Sequence, residues 1–275
     1  DQREGVMEFF GNIYYHIQMA GTPVADFVVD GHCHMGPYRD FLVVDDGSAA
    51  AMVRTMDVMG VDVMLVSPHL AITCDWREGN RQSAEAAAAF PARIVPLITV
   101  SGLAAPAEVE AELVHWHETT GIKAFKFHAS LHGCDTLADG YTPVYEYANE
   151  HGTPILSHSW SGAGGTRGVI ATLSERYSNV QFVNAHSASS WDAIEANCAV
   201  AEEFERYHLD LAGSRLVFGG LEYMVERVGA ERILYGPDSP FFDPRPTLGR
   251  MLAARISDDD KRKILGLNAK ALYRL

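Results

Sequence analysis

The sequence predicts an α/β fold, a (β/α)8 TIM barrel with a short N-terminal helical extension, and three observations predict it. Short β-rich runs alternate with Ala-, Glu- and Arg-rich helical stretches eight times without a break, as a parallel sheet with crossover helices requires. Several runs are nearly all apolar, such as Val61-Asp62-Val63-Met64-Leu65-Val66 and Val180-Gln181-Phe182-Val183, which is how strands buried on both faces read. The length of 275 residues suits one such barrel of roughly 250 residues.

Strands are expected at 26–32, 62–67, 93–99, 122–128, 154–158, 180–185, 207–211 and 232–236. Between them, helices are expected near 48–59, 81–90, 106–119, 142–151, 165–177, 191–205, 215–229 and 245–254, and a last one over 257–273 closes the chain. Gly121, Gly152 and Gly229 each follow a helical run and precede a strand, the place of a C-terminal cap. Pro106 and Pro143 stand near helix starts, where a missing N–H costs nothing. Ser257 with Asp260 resembles a capping box. Residues 1–25 read as a helical extension across one barrel end, and no linker or composition shift divides 1–275, which is taken as a single domain. An open doubly wound sheet would bring a glycine fingerprint for a nucleotide. The only glycine-rich stretch, Ser161 to Gly168, misses it because Arg167 stands at the third glycine position, and it is not a P-loop either. It is read as the loop after the fifth strand, either a plain connection or a helix start that holds a substrate anion with Arg167.

The net charge of −14 excludes the electrostatic footprint of a nucleic-acid binder and disfavours an anionic membrane surface. No apolar run is long enough to span a membrane, and the first residues do not read as a signal peptide. Cys33, Cys74, Cys134 and Cys198 form no C-x-x-C pair, so neither a disulfide scaffold nor a thiolate zinc site is expected, and a reducing, cytoplasmic compartment is. No G-x-S-x-G elbow and no framed cysteine nucleophile is present.

The chemistry is expected at the strand ends. His32 and His34 close the first strand in Asp30-Gly31-His32-Cys33-His34. Side chains at i and i+2 of a strand share a face, with Cα atoms about 6.5–7 Å apart, so two imidazoles there can converge on one metal at about 2.0–2.1 Å per bond. Cys33 between them should face away. His128 ends the fourth strand, His158 the fifth and His186 the sixth, and Asp238 follows the eighth. Parallel strands put all these ends on one barrel face, where such enzymes keep their chemistry. Five histidines and one aspartate converging there predict a functional metal site.

These residues carry a resemblance. The set Asp30-Gly31-His32-Cys33-His34, Gly121 to His128, His158, His186, Tyr235-Gly236-Pro237-Asp238-Ser239-Pro240 and the ending Ile264-Leu265-Gly266-Leu267-Asn268-Ala269 with Leu272 resembles the amidohydrolase superfamily. It looks most like the branch of metal-dependent hydrolases and decarboxylases that includes aminocarboxymuconate-semialdehyde decarboxylase. The resemblance implies that His32, His34, His158 and Asp238 hold one divalent metal, zinc first, with Mn²⁺ or Fe²⁺ compatible with the same nitrogen and oxygen ligands. It implies His186 as the catalytic histidine, with Asp238 able to take a proton from metal-bound water. Hydrolysis of a small amide, lactone or ester bearing a carboxylate is the leading expectation, and non-oxidative decarboxylation on the same frame is the alternative. A non-catalytic metal-binding protein is the remote third reading. Arg39 or Arg167 would clamp the substrate carboxylate, and Trp160 and His128 would line the pocket. Lys126, on the face of His128, is either a carbamate bridge of the kind two-metal members use or a buried lysine paired with Asp30 one layer below His32. The expected partners are a small-molecule substrate and, as is common among similar enzymes, a second copy of the chain.

Overall fold

A computed structural model describes residues 27–38, 47–159, 167–213 and 217–275. The extension at 1–25, Arg39 and Trp160 lie outside the described residues. The strands are β1 (Val29–Cys33), β2 (Val63–Val66), β3 (Ile94–Pro96), β4 (Ile98–Thr99), β5 (Phe125–Phe127), β6 (Pro154–Ser157), β7 (Gln181–Asn184), β8 (Tyr207–Asp210) and β9 (Ile233–Leu234). Every ladder is parallel, in two runs, β1-β2-β3 and β4 through β9 in chain order.

The two runs meet at Leu97. Pro96 has no N–H to give. Leu97 N–H then donates back to Val66 at 2.9 Å, and Ile98 N–H donates forward to Ala124 at 3.0 Å. β3 and β4 are thus one strand position handing its pairing from one neighbour to the next, which yields the eight positions expected. The first and last strands also meet: Gly31 N–H donates to Tyr235 O at 3.0 Å, and His34 N–H to Ser239 O at 2.7 Å. The crossover helices follow the expected pattern, among them Ala49–Met59, Trp76–Ala89, Pro106–Thr119, Thr142–His151 and Trp191–Glu203. The closing segment is helical but not uniform, since a π turn, Lys263–Leu267, joins Asp258–Arg262 to Asn268–Tyr273. Gly152 caps its helix in the left-handed conformation at φ 64°, and the Ser257 hydroxyl accepts from Asp260 N–H. Among the described residues, no helix is long and apolar enough to cross a membrane.

Strand alternation sorts the core into two layers. Phe125, Phe127, Ile155, Phe182 and Leu209 face the helices, while Val29, Leu65, Leu97, Ala124, Leu156 and Val183 fill the barrel interior. The interior layer closes the bottom of the barrel, and the polar residues sit above it.

One asparagine substitutes for a strand. β2 ends at Val66, so the backbone of Thr99 has no neighbour on that side. The buried Asn80 amide, on the helix Trp76–Ala89, takes its place: Nδ2 donates to Thr99 O at 2.8 Å and Oδ1 accepts from Thr99 N–H at 2.9 Å. Asn80→Ala leaves both backbone groups buried and unpaired, at roughly 1–3 kcal/mol each. Urea unfolding should show a loss of about 2–6 kcal/mol; a loss under about 0.5 kcal/mol would mean the clamp is dispensable.

Candidate metal centre

β1 does not alternate strictly. Asp30 pairs with Met64 but Cys33 pairs with Val66, three residues against two, so a bulge lies at Gly31-His32. Val28, Cys33 and Met35 face the helices, and Val29 faces the interior. The extra residue is what lets His32 and His34 both face inward after Asp30 has faced the other way. Bulges commonly re-aim side chains beside functional sites. The bulge also corrects the expected pairing of Lys126 with Asp30. Asp30 is tied elsewhere: Ser239 Oγ donates to it at 2.6 Å, and His32 N–H at 3.1 Å. Burial pushes its carboxyl up to about 7.

Two of the site residues have backbones that L-residues avoid. His186 has φ 59° and Asp238 φ 68°; the left-handed region costs a non-glycine residue roughly 1–2 kcal/mol. In β7, Val183 and Ala185 face the interior, so alternation alone would aim His186 outward. The left-handed turn brings its ring back, 5.2 Å from that of His32. Such outliers persist where the surroundings over-determine them, often at active sites.

The inward residues meet on one acidic oxygen. Asp238 Oδ1 lies 3.2 Å from His34 Nε2 and 3.7 Å from His32 Nε2. The three donor atoms lie within 4.8 Å of one another, and all three residues are buried. The other ring nitrogens are committed. His34 Nδ1 is 2.9 Å from Ser67 O, and His32 Nδ1 is 3.4 Å from both carboxylate oxygens of Asp210. Each Nδ1 therefore carries the proton, and each Nε2 turns a lone pair toward Asp238. Asp238 Oδ1 is buried without an aligned hydrogen bond. Three acceptors facing one another repel unless a cation lies among them. Two nitrogens and one carboxylate oxygen fit a divalent transition metal.

His158, the fourth expected ligand, lies outside this three-residue cluster: its Nδ1 is 3.1 Å from His186 Nε2, and its ring stacks on His128 at 3.8 Å. His186 Nδ1 faces Ala212 O at 3.3 Å, and its Nε2 is 4.0 Å from Asp238 Oδ2. Burial lowers His186 to about 4, so its resting imidazole is neutral. Lys126 is fully buried, with Nζ 2.6 Å from His32 Nε2. Burial lowers the Lys126 ammonium's pKa, while the Asp238 and Asp210 carboxylates beside it hold it up. A cavity lined by His34, Tyr38, His69, His128, His158 and Phe241, among others, opens onto the cluster. Arg167 is not among those residues; its exposed guanidinium grips Glu203 with two bonds of 2.6 Å. The expectation that it binds substrate is corrected, because a surface carboxylate already matches its fork.

Two residues escaped sequence reasoning. Asp210 accepts from Ala212 N–H at 2.7 Å and His186 N–H at 3.2 Å besides facing His32. Its signal was a lone acid at the end of an apolar strand, Leu209-Asp210-Leu211. His69 follows β2 as the other histidines follow their strands. Its ring stacks on His34 at 5.2 Å, its Nδ1 donates to Gly36 O at 2.9 Å, and its Nε2 is buried without a partner.

The amidohydrolase family profile matches residues 29–275. No curated protein matches the chain. Among solved structures, an uncharacterised TIM-barrel protein from Bordetella bronchiseptica is similar, with a TM-score of 0.73, 16% identity, and coverage of 90% of this chain and 98% of that one. So is 5-carboxyvanillate decarboxylase from Sphingomonas paucimobilis, at 0.70, 18%, 91% and 100%. A third is a dihydroxybenzoic acid decarboxylase from Polaromonas with bound manganese and the inhibitor 2-nitroresorcinol, at 0.68, 17%, 91% and 98%. Several of the similar solved structures are decarboxylases, which overturns the hydrolytic expectation in favour of its alternative. Two similar solved structures, a 5-carboxyvanillate decarboxylase and a dihydroxybenzoic acid decarboxylase, hold manganese.

His32→Ala and Asp238→Ala are each expected to lose the metal, read by elemental analysis after gel filtration. His186→Ala should keep about one equivalent; loss of metal there would move His186 into the ligand set.

Proposed function

This chain belongs to the amidohydrolase family, and within it we propose a metal-dependent decarboxylase that removes CO2 from a small planar carboxylic acid. The observation that carries the reading is the convergence of His32, His34 and Asp238 at the floor of a slot walled by rings. Tyr38 lies 4.9 Å from His69 and 5.2 Å from Phe241, centroid to centroid, and His128 and His158, also in the lining, stack on each other. Flat walls suit a flat substrate, since offset and edge-on ring contacts are favourable.

In the reaction, the bond between the carboxyl carbon and its neighbour breaks. The electron pair stays on the neighbouring carbon and takes up one proton, so RCO2⁻ and H⁺ become RH and CO2. A divalent ion held by His32, His34 and Asp238, with His158 as a further candidate ligand, would polarise the substrate oxygens as a Lewis acid. His186 handles the proton: its Nε2 faces both His158 Nδ1 and Asp238 Oδ2, so a proton arriving there has a carboxylate beside it. Asp210 fixes the His32 tautomer, as carboxylates behind metal-binding histidines do. His69 Nε2 is an acceptor that asks for a donor, such as a hydroxyl or amino group on the substrate ring. Arg39 and Trp160 remain part of the reading as carboxylate clamp and pocket wall. So do a homodimer and a cytoplasmic location.

The test is to load the protein with Mn²⁺, supply 2,6-dihydroxybenzoate and 5-carboxyvanillate, and follow the products by proton NMR. CO2 loss that stops with chelator and returns with Mn²⁺ is expected, and D2O should place one deuterium on the carbon that lost the carboxyl. His186→Ala should lower kcat by about 10²–10⁴ with metal retained. A metal-loaded protein that leaves these acids and a wider set of hydroxylated aromatic acids intact would sink the reading. Separately, His69→Phe should raise KM for a hydroxylated acid about tenfold or more while metal content holds, since a buried acceptor discriminates against analogues that cannot pair with it. An unchanged KM would remove His69 from substrate binding.

A further inference from the structure

Lys126 takes no part in the chemistry proposed above. Its Nζ donates to His32 Nε2 at 2.6 Å. That nitrogen holds the single lone pair His32 can offer, because Nδ1 is committed to Asp210. Two cations cannot share one lone pair. The ammonium also lies in the field of the Asp238 and Asp210 carboxylates, which a divalent ion would otherwise neutralise. Lys126, His32, Asp210 and Asp238 are all buried, so water screens none of this.

We propose that Lys126 is a built-in competitor for the metal: its ammonium fills the His32 position when no metal is bound and must leave Nε2 for metal to load. The lysine keeps the empty centre folded by compensating buried carboxylates that would otherwise stand unpaired. It also weakens metal binding relative to what the ligands alone would give. The proposal rests on the metal-centre part of the reading above and not on its decarboxylation chemistry.

The experiment is a titration with MnCl2 of the full chain stripped of metal, by calorimetry and without substrate, comparing wild type, Lys126→Met and Lys126→Gln. Lys126→Met should bind Mn²⁺ at least about tenfold more tightly, which is about 1.4 kcal/mol. Its metal-free form should melt lower than wild type, and its melting temperature should rise further on adding metal. Lys126→Gln, which can still donate to Nε2 but carries no charge, should fall between the two. Unchanged or weaker binding in both variants would overturn the proposal, as would the absence of Mn²⁺ binding in all three proteins. Should neither variant fold, a structure of the wild-type protein with Mn²⁺ decides. Lys126 Nζ beyond hydrogen-bond reach of His32 Nε2 supports the competition, and Nζ still seated there beside a bound ion refutes it. A protein that binds metal as described yet decarboxylates nothing would remove the activity and leave this inference standing.

Discussion

The Asp210 carboxylate ties three strand ends into one site. It faces His32 Nδ1 from β8, and it accepts the backbone N–H groups of Ala212 and of His186 beyond β7. The first contact sets which nitrogen of His32 is bare. The last anchors a residue whose left-handed backbone would otherwise relax. Burial pushes Asp210 up to about 6 despite those donors. The carboxylate is thus affordable inside the barrel only because its partners stay in place, and they stay because it holds them. Gly236 gives this arrangement its room: a Cβ there would lie 2.7 Å from Asp210 Oδ2 and 2.8 Å from His32 Cβ.

The barrel divides by height. Below, Val29, Leu65, Leu156 and Val183 fill the interior with aliphatic side chains. Above them, acids, imidazoles and one ammonium are packed with almost no water contact. Such a layer gains stability only when each charge is answered. The apolar floor therefore fixes the polar groups in position and also raises the cost of losing any one of them. A divalent ion held by His32, His34 and Asp238 would add to the stability of this layer for the same reason.

Much of this was legible in the sequence because strand periodicity and strand ends are local signals. The eight strand positions, the capping glycine Gly152 and the gathering of His32, His34, His186 and Asp238 at one end of the barrel follow from pattern alone. What failed were inferences that needed geometry beyond the period. Strict alternation placed Asp30 beneath His32, and the bulge moved it. Alternation would also have sent His186 outward, and a positive φ reversed it. Arg167 looked available because Glu203, its partner, lies far along the chain in a helix with no marked pattern. His69 and Asp210 are lone residues at strand ends, where a single polar side chain is indistinguishable from ordinary packing until its partners are seen.

The bulge in β1 makes the strand change phase partway along. Residues up to Asp30 and residues from His32 onward are written in two reading frames offset by one, and the join lies at Gly31. Paired without the bulge, the same residues would follow a single frame. The metal-facing surface of β1 would then carry Cys33 and Met35 in place of the two imidazoles, with every other strand untouched. The chemistry of this barrel therefore depends on where one strand breaks its period as well as on which residues that strand carries.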